Sequence, residues 1–205
     1  MWGVDREAGV ADLRLIVGLG NPGREYASTR HNAGERWVRR FADRFEIALR
    51  EEARFHGEYG HTELFGQEVR VLFPTTYMNA SGEAIGTTAR FFKIMPSEIL
   101  IAYDDVAFPI GVSKIRLGGG HNGHNGIKSA IGTFSGRSDF ARLRIGVGHP
   151  GDPERMTPYL TRVKMLTEEL DKESASAWLD DEVVEFALSG SWQKAMTRFH
   201  APEEQ

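Results

Sequence analysis

The chain has 205 residues, of which 40% are hydrophobic and 26% charged, and its formal net charge is −4. This size and composition are typical of one globular domain with a substantial buried core. The chain contains no cysteine, which excludes disulfides, thiolate zinc sites, iron–sulfur clusters and a cysteine nucleophile. No apolar run approaches the ~18 residues that span a bilayer. We therefore expect no membrane segment and, by default, a cytoplasmic location.

The first residues, MWGVDREAGVADL, contain acids and an arginine but no apolar stretch of the kind that a secretory signal needs. We predict a flexible N-terminal extension over residues 1–12 and a single domain over residues 13–205. The first element of this domain is a buried strand at Leu13–Leu19, a short apolar run that glycines end. A helix follows from about His31 to Phe45, where apolar residues recur at helical spacing.

Two strands are predicted next, near residues 54–64 and 67–73, with a turn at residues 65–67. Ser81 is a candidate cap for a helix that ends at about Lys93, before Pro96. The remaining pattern predicts strands at Ile99–Tyr103, Val112–Leu117 and Leu143–Val147, a short helix at about 126–133, and an acidic helical part over about 152–205. Strands that alternate with helices, together with hairpin-like strand pairs, predict an α/β sandwich around a mixed sheet.

The segment Gly18–Gly23 (GLGNPG) has the spacing of a dinucleotide-binding fingerprint after a strand. That motif should open a helix at once and lead to a second strand that ends in an acid. Here Pro22 lies within the turn, and the helical pattern begins only near His31. A dinucleotide-binding oxidoreductase is therefore a minor alternative, and the glycines are better explained as a tight loop that presents Asn21.

Four polar clusters follow predicted strands or begin predicted helices. They are Asn21 in GLGNPG, TRHN at 29–32, PTTYMN at 74–79 and GGGHNGHNG at 118–126. Asp104 and Asp105 also follow a strand. Each cluster alone has a structural explanation, such as a helix cap or a turn. An α/β fold would nevertheless gather them at one edge of the sheet.

The chemistry of these clusters is limited. His121 and His124 lie in a glycine loop without a helical zinc motif or a carboxylate-rich ligand set. The sequence also lacks the G-x-S-x-G elbow of serine hydrolases. What remains is a hydrolase without a protein nucleophile, in which a histidine acts as base, an aspartate orients it, and asparagine amides hold the substrate.

Charge is distributed unevenly along the chain. Residues 1–150 hold 19 Lys and Arg against 17 Asp and Glu, whereas residues 151–205 hold 6 against 12. Within 111–149 only Asp139 opposes the basic residues, which are Lys114, Arg116, Lys128, Arg137, Arg142 and Arg144. Such a local excess suits a polyanionic partner despite the negative total. A solvated basic face is the alternative explanation.

The motifs LIVGLGNPGREYASTRHNAGE, PTTYMNASGEAI, GGGHNGHNGIKS and RLRIGVGHPG, in this order, resemble bacterial-type peptidyl-tRNA hydrolases over about Leu13–Gly151, and more loosely to AMTRFH. The resemblance implies a three-layer α/β/α sandwich around a mixed, mostly parallel sheet. It also implies a monomer without metal, cofactor or obligate protein partner, which cleaves the ester between a peptide and its tRNA. A catalytically silent RNA-binding relative remains an alternative.

The resemblance also implies roles for individual residues. His31 matches the catalytic base, and Asp104 matches the aspartate that favours its proton-accepting form. Asn21 matches the residue that distinguishes blocked from free aminoacyl ends. Contacts to tRNA or peptide are implied for Tyr26, Tyr77, Asn79 and Asn125, with Met78 lining the cleft and Asn79 beside the scissile ester. Lys114 and Arg144 match a pair that holds a tRNA phosphate. The chain departs from the family at Arg116, where a lysine is familiar, so charge is kept but geometry differs.

Overall fold

A computed structural model of the protein describes residues 11–201, so most of the predicted extension over residues 1–12 lies outside the described residues. Seven strands form one sheet: β1 Leu15–Gly18, β2 Arg50–Glu52, β3 Gly57–Leu64, β4 Gln67–Pro74, β5 Ile99–Asp105, β6 Ser113–Leu117 and β7 Ala141–Gly146. Their order is β2-β3-β4-β1-β5-β7-β6. The four central strands pair in parallel, and antiparallel pairing occurs at β2–β3, β3–β4 and β6–β7.

Seven α-helices lie in the described part of the chain: α1 Ala33–Arg44, α2 Ser81–Phe92, α3 Asn125–Thr133, α4 Met156–Thr161, α5 Thr167–Ser176, α6 Asp181–Leu188 and α7 Trp192–Phe199. One core cluster joins α1, α6 and α7 to one face of the sheet, and a second joins α2 and α3 to the other. The predicted three-layer α/β/α sandwich with a mixed, mostly parallel sheet is confirmed.

Strand alternation divides the side chains between the two faces. In β5, Leu100 and Ala102 pack on the α1 side, whereas Ile99, Ile101 and Tyr103 pack on the α2–α3 side. In β7, Leu143 and Ile145 likewise face α1. This alternation decides which layer each polar residue at the ends of these strands meets.

Several predicted boundaries differ from the structure. The α-helix predicted from His31 begins at Ala33, after a 3₁₀ turn at Arg30–Asn32. The strand predicted from residue 54 begins at Gly57, and the short β2 was not predicted. Ser81 does not cap α2 but is its first residue, and its hydroxyl donates to the Met78 carbonyl oxygen. Short 3₁₀ turns therefore account for part of the difference, because they lack an apolar period of their own.

Candidate active site

His31 and Asp104 form a buried pair at the carboxyl ends of the central strands. His31 lies in the 3₁₀ turn before α1, and Asp104 lies near the end of β5 on the same side of the sheet. The Nδ1 atom of His31 is 2.9 Å from Oδ1 and 3.0 Å from Oδ2 of Asp104. A carboxylate is an acceptor only, so Nδ1 carries the proton and Nε2 keeps its lone pair. This is the tautomer that a general base at Nε2 requires.

A second imidazole shares the same carboxylate. The Nε2 atom of His124 is 3.0 Å from Oδ1 of Asp104, and the backbone N–H of Ile127 donates to Nδ1 of His124 at 3.3 Å. Both contacts are satisfied only when the proton of His124 lies on Nε2. His124 therefore has both nitrogens engaged, whereas Nε2 of His31 has no hydrogen-bond partner among residues 11–201. Of the two histidines, His31 is the one free to accept a proton.

The ionisation of the pair favours this arrangement. Burial alone lowers the pKa of the His31 imidazole, but the charge and hydrogen bond of Asp104 outweigh it and raise the pKa above the ordinary 6.5. Burial alone raises the pKa of the Asp104 carboxyl, but His31 and His124 together hold it well below its usual range. Asp104 therefore stays ionised, while His31 titrates somewhat above the ordinary histidine value.

His31 and Asp104 open into a cleft of about 350 Å³. One wall of the cleft is formed by His121–Asn125, which belong to the glycine loop at 118–126. Another wall is formed by α4, through Met156, Thr157, Leu160 and Thr161. The acidic C-terminal part therefore contributes to the site, which the sequence did not indicate. Two ion pairs fix this part to the start of α1 and the turn before it: Arg30, in the 3₁₀ turn, pairs with Glu169 at 2.7 Å, and Arg36, in α1, pairs with Glu173 at 2.6 Å.

The asparagine of the GLGNPG segment is held by its neighbours. Oδ1 of Asn21 accepts a hydrogen bond from the backbone N–H of Met78 at 2.9 Å. Asn32 exchanges two hydrogen bonds with the Asn21 backbone, at 3.0 and 2.8 Å. Since Oδ1 is occupied, the Asn21 side chain offers its NH₂ group, which has no partner among the described residues. The positioning role of Asn32 was not predicted from the sequence, although Asn32 lies beside His31 in TRHN.

The other predicted contact residues surround the pair at different depths. Met78 is buried, and its sulfur would contact a Cβ at Gly126, so it packs against the start of α3. Asn125 lines the cleft as the first residue of α3. Tyr77 is 62% exposed and Asn79 is exposed beside it, whereas Tyr26 is partly buried. Of the predicted site residues, the cleft lining includes only His31, Asp104 and Asn125.

The glycines of GLGNPG serve close packing. A Cβ at Gly18 would lie 2.2 Å from the carbonyl oxygen of Gly34 in α1. The chain after α1 continues to edge strand β2, which pairs antiparallel with β3, so no parallel βαβ unit forms around this loop. A dinucleotide site needs that unit. The fingerprint spacing is therefore explained by the approach of β1 to α1.

The basic residues of β6 and β7 lie on the side of the sheet away from α1. Lys114 is opposite Arg144, and Arg116 is opposite Arg142, in the register of the two strands. Arg142 is buried, and its guanidinium donates to the carbonyl oxygens of Gly119 and Gly120, so it supports the glycine loop. Nε of Arg144 donates to Oδ2 of Asp105 at 2.7 Å. The basic segment therefore includes structural cations as well as candidate phosphate contacts.

His31, Asp104 and His124 also form the one group of metal-ligating type found in the described part of the chain, with ligand atoms within 4.8 Å of one another. Hydrogen bonds of both imidazoles to one carboxylate account for this proximity. The hydrogen bond of His124 to Asp104 was not predicted from the sequence, where His124 stands out only as a possible metal ligand. Among the described helices, none is long and apolar enough to cross a membrane.

Known proteins resemble this chain in both sequence and fold. A family model described as peptidyl-tRNA hydrolase matches residues 15–205. The peptidyl-tRNA hydrolase of Actinobacillus succinogenes is 45% identical over 93% of this chain and 98% of its own length. That of Pectobacterium atrosepticum is 43% identical over 94% and 98%. The crystal structure of peptidyl-tRNA hydrolase from Acinetobacter baumannii superposes with a TM-score of 0.87 at 40% identity, covering 92% of this chain and 95% of that one.

Proposed function

Because this chain belongs to the peptidyl-tRNA hydrolase family, we propose that it hydrolyses peptidyl-tRNA with His31 as general base and without a protein nucleophile. One observation carries this proposal. Nδ1 of His31 is fixed on the Asp104 carboxylate at 2.9 Å, and the unpaired Nε2 belongs to a residue that lines the cleft. A single imidazole of this kind can activate water near neutral pH.

In the proposed reaction, Nε2 of His31 takes a proton from water, and the oxygen attacks the ester carbonyl carbon. The bond to the ribose oxygen then breaks, and that oxygen receives the proton from His31. The products are a peptide carboxylic acid and tRNA with a free terminal hydroxyl. An ester is already more reactive than an amide, so base catalysis of ~10²–10⁴-fold makes a large contribution.

The asparagines would hold the substrate. The NH₂ group of Asn21 is available as a donor because Met78 occupies Oδ1, and we assign it to a carbonyl of the blocked aminoacyl end. Asn79 would donate to the scissile carbonyl as negative charge develops on its oxygen. Asn125, with Tyr26 and Tyr77, would contact the peptide or the terminal nucleotides. His124 would act as a positioning residue, because it donates to Asp104 and caps the N-terminus of α3 at the same time.

We assign Lys114 and Arg144 to a tRNA phosphate remote from the ester. They lie opposite each other on β6 and β7, on one face of the sheet. Such contacts add binding that is equal in the ground and transition states, so they affect KM more than kcat. We further propose that the protein acts in the cytoplasm, where translation takes place. We also propose that it acts as a monomer, since one chain supplies the cleft with both His31 and Asp104.

The central test is incubation with N-acetyl-aminoacyl-tRNA and measurement of the tRNA released. We expect rapid release by the wild-type protein. His61→Ala on β3 is the control for substitution of His31, and it should keep the wild-type rate.

A second test concerns the proposed phosphate contact. Lys114→Ala should raise KM for the full-length substrate about threefold to fivefold and flatten the salt dependence of binding by about one phosphate. Lys194→Ala on α7 is the charge-matched control. If Lys114→Ala lost as much activity on a substrate without the tRNA body as on the full-length substrate, a phosphate contact of Lys114 would be excluded.

A further inference from the structure

The two adjacent carboxylates at the end of β5 bind different partners. Asp104 accepts hydrogen bonds from His31 and His124 on one side of the strand. Asp105 also lines the cleft, but its Oδ2 accepts a hydrogen bond from Nε of Arg144 at 2.7 Å on the other side of the strand. Successive side chains of a strand point to opposite faces. The consecutive residues Asp104 and Asp105 therefore reach the catalytic histidine on one face and the basic residues on the other.

Asp105 is held firmly enough to orient the arginine. Its side chain is only 7% exposed, and its second oxygen, Oδ1, accepts from the backbone N–H of Ala107 at 2.9 Å. Both carboxylate oxygens therefore have a partner. Asp105 also pairs with Gly146 in the β5–β7 register, two residues beyond Arg144 on the neighbouring strand. The carboxylate is thus fixed by the sheet and by the turn that follows β5.

The guanidinium of Arg144 is constrained on two sides. Nε is bound to Asp105, and the guanidinium carbon lies 4.6 Å from the centre of the Phe108 ring. The ring fixes the plane of the group and the carboxylate fixes its rotation. The two terminal nitrogens make no hydrogen bond with the described residues. A guanidinium presented in this way can bind one phosphate through both terminal nitrogens.

We propose that Asp105 is a positioning residue that holds Arg144 for a tRNA phosphate, while its neighbour Asp104 serves the chemistry at His31. The inference rests on the proposed phosphate contact of Arg144. It assigns binding of the tRNA body and cleavage of the ester to consecutive carboxylates of one strand. Asp105 should therefore control the preference for full-length tRNA over short substrates.

The test substitution is Asp105→Asn. The amide oxygen would keep the bond from the Ala107 N–H, so the NH₂ group would take the place of Oδ2 and face the donor Nε of Arg144. Two donors in contact repel, and the guanidinium would lose its orientation. The matched control is Asp139→Asn, which removes the partner of Arg137 at 2.7 Å from an exposed pair of the same chemistry.

Two substrates separate the possible roles. One is N-acetyl-aminoacyl-tRNA, and the other is the same blocked aminoacyl ester on a CCA trinucleotide. For Asp105→Asn we expect KM for the full-length substrate to rise about fivefold, as for loss of one charged contact, while the trinucleotide is cleaved within about twofold of the wild-type rate. Normal cleavage of the trinucleotide also shows that the variant is folded. The Asp139→Asn control should match wild type on both.

A double-mutant cycle connects Asp105 to Arg144. If Asp105 acts through Arg144, Asp105→Asn combined with Arg144→Ala should raise KM no further than Arg144→Ala alone. An additive effect, or loss of trinucleotide cleavage by Asp105→Asn, would overturn the inference. An unchanged KM for Asp105→Asn beside a raised KM for Arg144→Ala would overturn it and leave the phosphate contact standing. An unchanged KM for Arg144→Ala would refute that contact itself, and the inference with it.

Discussion

Replacement of Asp104 by asparagine tests the charge and the tautomer of the catalytic pair together. The asparagine oxygen can replace Oδ1 and keep the bonds from Nδ1 of His31 and Nε2 of His124, at 2.9 and 3.0 Å. The NH₂ group then replaces Oδ2, which lies 3.0 Å from Nδ1 of His31. A donor at that position favours the tautomer with its proton on Nε2, and this tautomer cannot act as the base.

The size of the effect follows from the geometry. Unit charges about 4 Å apart attract by about 4 kcal/mol at an effective dielectric constant of about 20. Since His31 faces an open cleft, water screens part of this attraction, and we expect the pKa of His31 to fall in the variant because the charge of Asp104 is lost. The same substitution in a Ser-His-Asp triad lowers kcat by ~10⁴-fold. Here Oδ1 can still accept from Nδ1, so we expect a loss of about 10²-fold.

The assay is kcat/KM on N-acetyl-aminoacyl-tRNA between pH 5 and 9. In wild type the pKa of His31 is raised above 6.5, so activity should fall as the pH decreases through a value above that. In Asp104→Asn the maximum should be lower and the acid limb should move to lower pH, because the base is weaker. A normal maximum with an unmoved acid limb would show that Asp104 does not act on the base.

Three further substitutions test separate parts of the site. His31→Ala should lower kcat by about 10²–10⁴-fold with little change in tRNA binding, and a loss below threefold would remove His31 from the mechanism. Asn21→Asp keeps an oxygen for the Met78 N–H but loses the NH₂ donor, so kcat/KM on blocked aminoacyl-tRNA should fall about tenfold; unchanged kinetics would make GLGNPG a structural turn. Glu173→Gln removes a fully buried carboxylate and leaves the partly buried guanidinium of Arg36 without its charged partner, so it should lower the free energy of unfolding by about 3 kcal/mol in urea denaturation. A change under about 1 kcal/mol would mean that water compensates this pair.

The sequence predicted the layers because they follow from periodic patterns, whereas the roles of the site residues came from the family resemblance. The apolar runs at β1 and β5 specify the buried centre of the sheet, Asp104 lies near the end of β5, and His31 lies in the turn before α1. By contrast β2, with the sequence Arg50-Glu51-Glu52, has no apolar residue and exists through its backbone pairing with β3. Such an edge strand carries no signal in its side chains.

The hydrogen bonds that complete the site could not be predicted from the sequence. His124 lies in a glycine loop whose path depends on positive φ angles at Gly118, Gly119, Asn122 and Gly123. Pattern analysis does not give the direction of a side chain in such a loop. The buried Arg142 that supports the loop has carbonyl oxygens as partners, so no acidic residue in the sequence indicates its role. The contact of Asp105 with Arg144 depends on the register of β5 and β7, which only the structure shows.

The same register explains how a chain with net charge −4 can present a basic surface. In β6 and β7, Ile115, Leu143 and Ile145 face the layer of α1 and the acidic C-terminal helices. The alternating positions, which include Lys114 and Arg144, therefore face the opposite side of the sheet. Opposite charges are separated by the thickness of the sheet, so the acidic helices weaken the attraction of the basic face for phosphate less than the net charge suggests. Like charges facing each other across β6 and β7 cost stability. Asp105 already balances the charge of Arg144, and a phosphate ligand would relieve the repulsion that remains.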